Sequence, residues 1–329
     1  MPGTDPAEAI AVILGELPDL PHIPELPARG PGADLTGRTA ALLLDLPVET
    51  TARGWKLTAR PGREQRRAAG LMAADLDALH EAAETYQGTF KIQVCGPWTL
   101  AATLELSRSQ DPALADPGAL ADLTASLAEG IAVHVAQIRG SIPAATVLLQ
   151  LDEPALPAVT AGAIPTASGL NRIPAVDAAV AAEGLRRVLR ATTAFAVVHC
   201  CAPDVPFGMI KESGAGAVGF DASLLRRDEE DAVAETVEAG IGILLGALPA
   251  TTQAKRDSSV LPPSPRQTAS AALNLWHRMG MPPARFAEQV VLTPACGLAG
   301  ASPAEARAAL AHCREAAGQI PELIEEGVP

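Results

Sequence analysis

The chain has 329 residues, 48% hydrophobic and 19% charged, a balance that supports a large buried core and excludes a disordered chain. Its 25 Lys and Arg against 38 Asp and Glu give a net charge of −13, which argues against nucleic acid or an anionic membrane as the main partner. Five cysteines, an odd and scattered set, point to a reducing cytoplasm and not to a disulfide scaffold.

The opening MPGTDPAEA carries early acids and no basic region, so it does not read as a secretory signal. No apolar run approaches the roughly 20 residues of a membrane span. In chain order, the pattern then predicts a strand in ALLLDLPV (41–48), a helix over 65–86, and a strand in TFKIQVC (89–95). A helix over 117–139 leads to a strand in ATVLLQLD (145–152), and a helix over 175–192 to one in AFAVVHC (194–200). Strands follow in AGAVGFD (215–221), GIGILLGAL (240–248) and QVVLTPAC (289–296), with helices over 228–238, 265–279 and 303–316. SSVLPPSPR (258–266) reads as a Pro-rich surface loop.

The strand runs are nearly continuously apolar, as expected of parallel strands buried on both faces. Their alternation with helices, without a long linker, predicts one domain over 1–329, and the strand count favours a (β/α)8 TIM barrel over a doubly wound sheet. No G-x-G-x-x-G follows the first strand and no G-x-x-x-x-G-K-[ST] occurs, so nucleotide-binding sheets lose their usual signature.

In a parallel barrel, chemistry gathers where strands end and βα loops begin. Asp152 and Glu153 follow one predicted strand, and His199, Cys200 and Cys201 another. Asp221 and Cys296 end two more. Residues i and i+2 of a strand share a face, so His199 and Cys201 look into the barrel together while Cys200 turns toward the helices. Imidazole with thiolates suits zinc, and three protein ligands with an open position describe a catalytic zinc. Each residue alone also has a plainer reading: a strand-end Cys is commonly a small core residue, as expected of Cys95 and Cys313, and Asp-Glu-Pro commonly starts a loop.

These strand ends, taken in order, resemble the catalytic domain of cobalamin-independent methionine synthase. GW (54–55), VCGPWTL (94–100), LQLDEPAL (149–156), VHCC (198–201) and LTPACGL (292–298) carry the resemblance. It implies zinc on His199, Cys201 and Cys296, and Asp152, with Glu153 beside it, at the ammonium group of homocysteine. The implied reaction is methyl transfer to a thiol that zinc ionises.

Four departures qualify it. The family's fourth zinc ligand is a Glu, and the matching residue is the shorter Asp221 in GFDAS. The family's Asp-x-His-Ser-Pro, whose His protonates the folate leaving group, matches LGALPATT (245–252), which has no His. The family's folate-packing aromatic is missing from LAATLEL (100–106); Trp98 reads either as its substitute or as a buried core residue. The family's Gly-Ser-x-Pro, which holds the amino acid carboxylate, is met only at Met1, Pro2 and Gly3. This assigns Pro2 and Gly3 to the substrate site and implies a barrel lacking or truncated at its first strand.

Loss of the acid favours a corrinoid methyl donor, free methylcobalamin or a corrinoid protein, over methyl-tetrahydrofolate. The competing readings are a coenzyme M-type thiol methyl- or alkyltransferase and a binding module that holds a zinc-bound thiol without turnover. A uroporphyrinogen decarboxylase reading leaves the His-x-Cys…Cys set unexplained.

Overall fold

Each apolar run whose β-branched and leucine side chains alternate between two buried faces becomes a parallel strand. A computed structural model describes residues 1–249 and 263–327. Helix α1 (Pro6–Glu16) begins at an Asp5 N-cap, and α2 (Leu35–Ala40) at an Asp34 N-cap. Strands β1 (Val48–Thr51) and β2 (Gly54–Leu57) form an antiparallel hairpin. Helix α3 (Arg63–Ala83) leads to β3 (Thr89–Cys95), then to α4 (Pro97–Thr103) and the two-residue β4 (Leu104–Glu105), which pairs with β2.

Helix α5 (Pro117–Ser141) is long and apolar enough to cross a membrane by length and composition alone. Here it packs on α3 and buries Leu123, Leu127, Ile131, Val135 and Ile138 as a core helix. Strand β5 (Thr146–Asp152), α6 (Leu156–Thr160) and α7 (Ala178–Leu189) follow, the last also packing on α5. Next come β6 (Phe195–Cys200), α8 (Phe207–Ser213), β7 (Ala217–Asp221), α9 (Glu230–Glu238) and β8 (Gly242–Leu248). The chain ends with α10 (Pro265–Arg278), α11 (Phe286–Gln289), β9 (Val290–Pro294) and α12 (Pro303–Glu325). Both α10 and α12 open with Ser capping boxes, Ser264 with Gln267 and Ser302 with Glu305.

Six strands form one curled parallel sheet in the order β3-β5-β6-β7-β8-β9. A single parallel bridge, His22 to Lys91, lays the segment around residue 22 beside β3. Among the described residues nothing pairs β9 to that segment, so the expected parallel α/β barrel sheet is there as a six-stranded half-barrel, and closure to eight strands is not. The predicted strand at 41–48 is part of the difference. Asp45 takes a left-handed backbone at φ 56°, Pro47 lacks a donor for a ladder, and only Val48 enters a strand, in the small sheet.

Leu148, Val197, Ala217 and Leu244 pack together with Leu20 on the inner face. The residues two positions further along these strands point the same way, which puts Gln150, His199, Gly219 and Gly246 above that floor, with Asp152, Cys201 and Asp221 at the mouth. The opposite face packs on the helices in the main core.

Candidate functional site

Parallel pairing sets the site, because β5 and β6 align Asp152 directly with His199. The Asp152 Oδ1 accepts from His199 Nδ1 at 2.8 Å and from Gln150 Nε2 at 2.7 Å. Its Oδ2 accepts no hydrogen bond among the described residues. His199 in turn pairs with Gly219 on β7. A Cβ at 219 would stand 3.0 Å from His199 Cδ2, so this glycine leaves the space that the imidazole occupies.

Cys201 follows β6 and Cys296 follows β9, and their sulfurs stand 3.9 Å apart. Cys296 is exposed at the rim, Cys201 half-buried, and Cys200 buried on the other face, as the strand alternation requires. The hydrogen bond shared with Cys201 brings the Cys296 thiol down to about 6, against partial desolvation; the Gly297 backbone and the His199 ring act in the same direction. Cys201 is pushed up, first by that shared proton and then by burial.

Two thiolate ligands at about 2.3 Å from a tetrahedral zinc are about 3.8 Å apart, which is the spacing of this pair. An imidazole whose Nδ1 is tied to a carboxylate presents Nε2, the arrangement usual for a ligating histidine. By these two observations the sulfur pair suits zinc in its spacing and the imidazole in its free nitrogen. Asp221 is buried, with Oδ1 accepting from the Ser223 backbone N at 2.8 Å and hydroxyl at 2.7 Å. As the side chains stand, no three His, Cys, Asp or Glu among the described residues surround one point: the sulfur pair is formed, with the imidazole and Asp221 on adjoining strands. A cavity of about 330 Å³ opens beside Asp221, lined also by Ser223, Gly246, Ala247, Leu275 and Arg278.

Other expected residues fall elsewhere. Glu153 is fully buried and turned from the mouth; its two oxygens accept the Trp98 and Thr99 backbone N–H groups at 2.9 and 2.7 Å, at the start of α4. Burial raises its pKa to about 7 against these bonds. It anchors the Gly-Pro turn, where a Cβ on Gly96 would strike its carboxylate, and has no open side for a substrate. Trp98 is a core residue, with its Nε1 donating to the Ala181 carbonyl at 2.9 Å and its ring against Gly184, so it does not stack on a ligand. Cys95 and Cys313 are buried, as expected.

Met1 packs against the small apolar cluster that contains Ile13, Leu248 and Leu298, and its ammonium donates to the Glu25 carbonyl at 2.7 Å. Pro2 and Gly3 follow it, Gly3 with φ 87°. Within LGALPATT, residues 245–249 are described and carry no acid group, while 250–252 lie outside the described residues. The same holds for 258–262 of the predicted Pro-rich loop.

Two charged residues escaped the sequence reading. Glu25 is raised by burial, with Arg38 opposing that shift and Asp152 adding to it. Lys91 donates to Gln93 Oε1 at 3.1 Å, its pKa lowered by burial and supported by Asp152 and Glu25. A lysine two residues from Gln93 on the inward face of a strand was the available clue. Glu25, between prolines in PHIPELP, gave none.

Residues 24–319 match the family model described as cobalamin-independent synthase, catalytic domain, and the chain belongs to that family. No curated protein matches the chain.

Proposed function

From that membership, which makes the chain a methyltransferase of the cobalamin-independent methionine synthase type, we propose that it transfers a methyl group to homocysteine or a similar small amino thiol and that it depends on zinc. His199, Cys201 and Cys296 would hold the metal, with Asp221 as the fourth donor. When bound, zinc would ionise a thiol whose ordinary pKa is about 8.5. The observation that carries this reading is the sulfur pair 3.9 Å apart beside an oriented imidazole.

The chain's own residues do the rest. Asp152 uses Oδ1 for His199 and Gln150, which leaves Oδ2 to accept from a substrate ammonium. Pro2 and Gly3 are the candidate backbone at the carboxylate end. Held in line with the donor, the thiolate sulfur forms the S–C bond with its own electron pair, and the leaving group departs with the pair of the bond that breaks.

With methyl-tetrahydrofolate the leaving amine needs a proton, and residues 245–249 offer no donor for it. A methylated corrinoid leaves without one, which supports methylcobalamin or a corrinoid protein as donor. The open carboxylate oxygen of Asp152 supports an amino thiol over coenzyme M, whose sulfonate it would repel.

Methyl transfer should be assayed with homocysteine or coenzyme M as acceptor, read as methionine or methyl-coenzyme M, and with methylcobalamin or methyl-tetrahydrofolate as donor. Product from homocysteine with methylcobalamin is expected. Robust folate-dependent turnover would contradict the donor, preference for coenzyme M the acceptor, and tight homocysteine binding without product the enzyme reading.

A further inference from the structure

Above the apolar floor of Leu148, Val197, Ala217 and Leu244, the next inward position on β5 holds an amide, Gln150. Its Nε2 donates to Asp152 Oδ1 at 2.7 Å, and this is its side chain's hydrogen bond among the described residues. The same oxygen receives His199 Nδ1 at 2.8 Å. Gln150 and Asp152 lie two apart on one strand face, while Asp152 and His199 are register partners across β5 and β6. The backbone therefore aligns all three.

A carboxylate accepts and does not donate, so the nitrogen end of the Gln150 amide faces it. For the same reason the ring hydrogen of His199 belongs on Nδ1, which leaves the Nε2 lone pair free toward the mouth. A carboxylate bonded only to the ring could swing about its Cα–Cβ and Cβ–Cγ bonds. The second bond, from Gln150, fixes its plane.

We propose that Gln150 is a positioning residue: by holding Asp152 it sets the tautomer and orientation of His199, and through them the grip of the site on a divalent cation. The cation part rests on the metal reading above; the tautomer part does not.

The test uses the full chain with ¹⁵N-labelled histidine, first without metal. Long-range ¹H–¹⁵N correlation spectra report which ring nitrogen carries the hydrogen. Wild type is expected to show His199 as the Nδ1–H form. Gln150→Met, of similar length but without a donor, is expected to show a mixture with the Nε2–H form while the far-UV circular dichroism stays unchanged. Should that variant fail to fold, Gln150→Leu replaces it. An unchanged tautomer in a folded variant overturns the proposal.

Zinc affinity is then measured by competition with a chromogenic chelator. The variant is expected to bind about 10- to 100-fold more weakly, the usual cost of losing an outer-shell partner, with the same stoichiometry at saturation. Equal affinity overturns the positioning role while leaving the metal site standing. A wild type that binds no zinc removes the metal reading, and the metal-free spectra still decide the tautomer.

Discussion

The sulfurs of Cys201 and Cys296 lie 3.9 Å apart although 95 residues of chain separate them. Their strands are not neighbours, since β7 and β8 lie between β6 and β9 in the sheet. Curl of the sheet brings the two loop starts together across the mouth.

Metal content follows from this spacing. Wild type purified from a zinc-containing medium should carry about one zinc per chain, measured by inductively coupled plasma mass spectrometry. Cys201→Ser and Cys296→Ser should each lose it. Full retention in either variant removes that sulfur from the site.

Gly219 should be needed for the same site. An alanine Cβ there already meets His199 Cβ at 3.3 Å and Cδ2 at 3.0 Å, and Gly219→Val would displace the ring. Zinc binding should weaken at least tenfold, about 1.4 kcal/mol, as read by chelator competition; unchanged affinity would show that the ring is not a ligand.

Asp75 should dominate the stability of the wall formed by α2 and α3. It is fully buried and bonds Arg29 at 2.7 and 2.9 Å and Arg38 at 2.5 Å. Asp75→Ala would leave the Arg29 guanidinium buried without its anion and Arg38 with only the longer contact to Glu25 at 3.7 Å, at a cost of about 3–5 kcal/mol. Urea unfolding measures this, and a loss below about 1 kcal/mol, the worth of an exposed pair, would mean that water reaches the arginines.

His134 predicts a gain. Both ring nitrogens are buried and lack a partner of good hydrogen-bond geometry among the described residues, and burial, then the Arg38 charge, lowers its pKa from 6.5 to about 4, with only the nearby Gln137 amide opposing. Between those values the unfolded chain binds a proton that the native state refuses, so stability falls as pH drops from about 6.5 toward 4 and levels off below. The ceiling is about 3 kcal/mol. His134→Leu should stabilise the protein by about 1–3 kcal/mol at neutral pH and remove this part of the slope. Denaturant melts at pH 4.5 and 7 check both, and a destabilised variant would mean that an ordered water satisfies the ring.

Much of this protein was legible in local sequence. Parallel strands buried on both faces must be nearly continuously apolar, so runs such as VLLQL and GILLGAL mark themselves. His199 and Cys201 share a face because side chains alternate along any strand. Short helices such as α4 and α8 escaped, since seven residues give too few turns for an apolar stripe to show. ALLLDLPV misled because its composition is that of a strand, while Asp45 and Pro47 prevent it from extending. What lies between elements had to wait for the fold. Strand register pairs Asp152 with His199, and sheet curl sets the sulfur spacing. The same geometry turned Glu153 from an expected substrate contact into a buried anchor for α4. Distances across a sheet depend on strand order, register and curl, and a linear pattern encodes none of them directly.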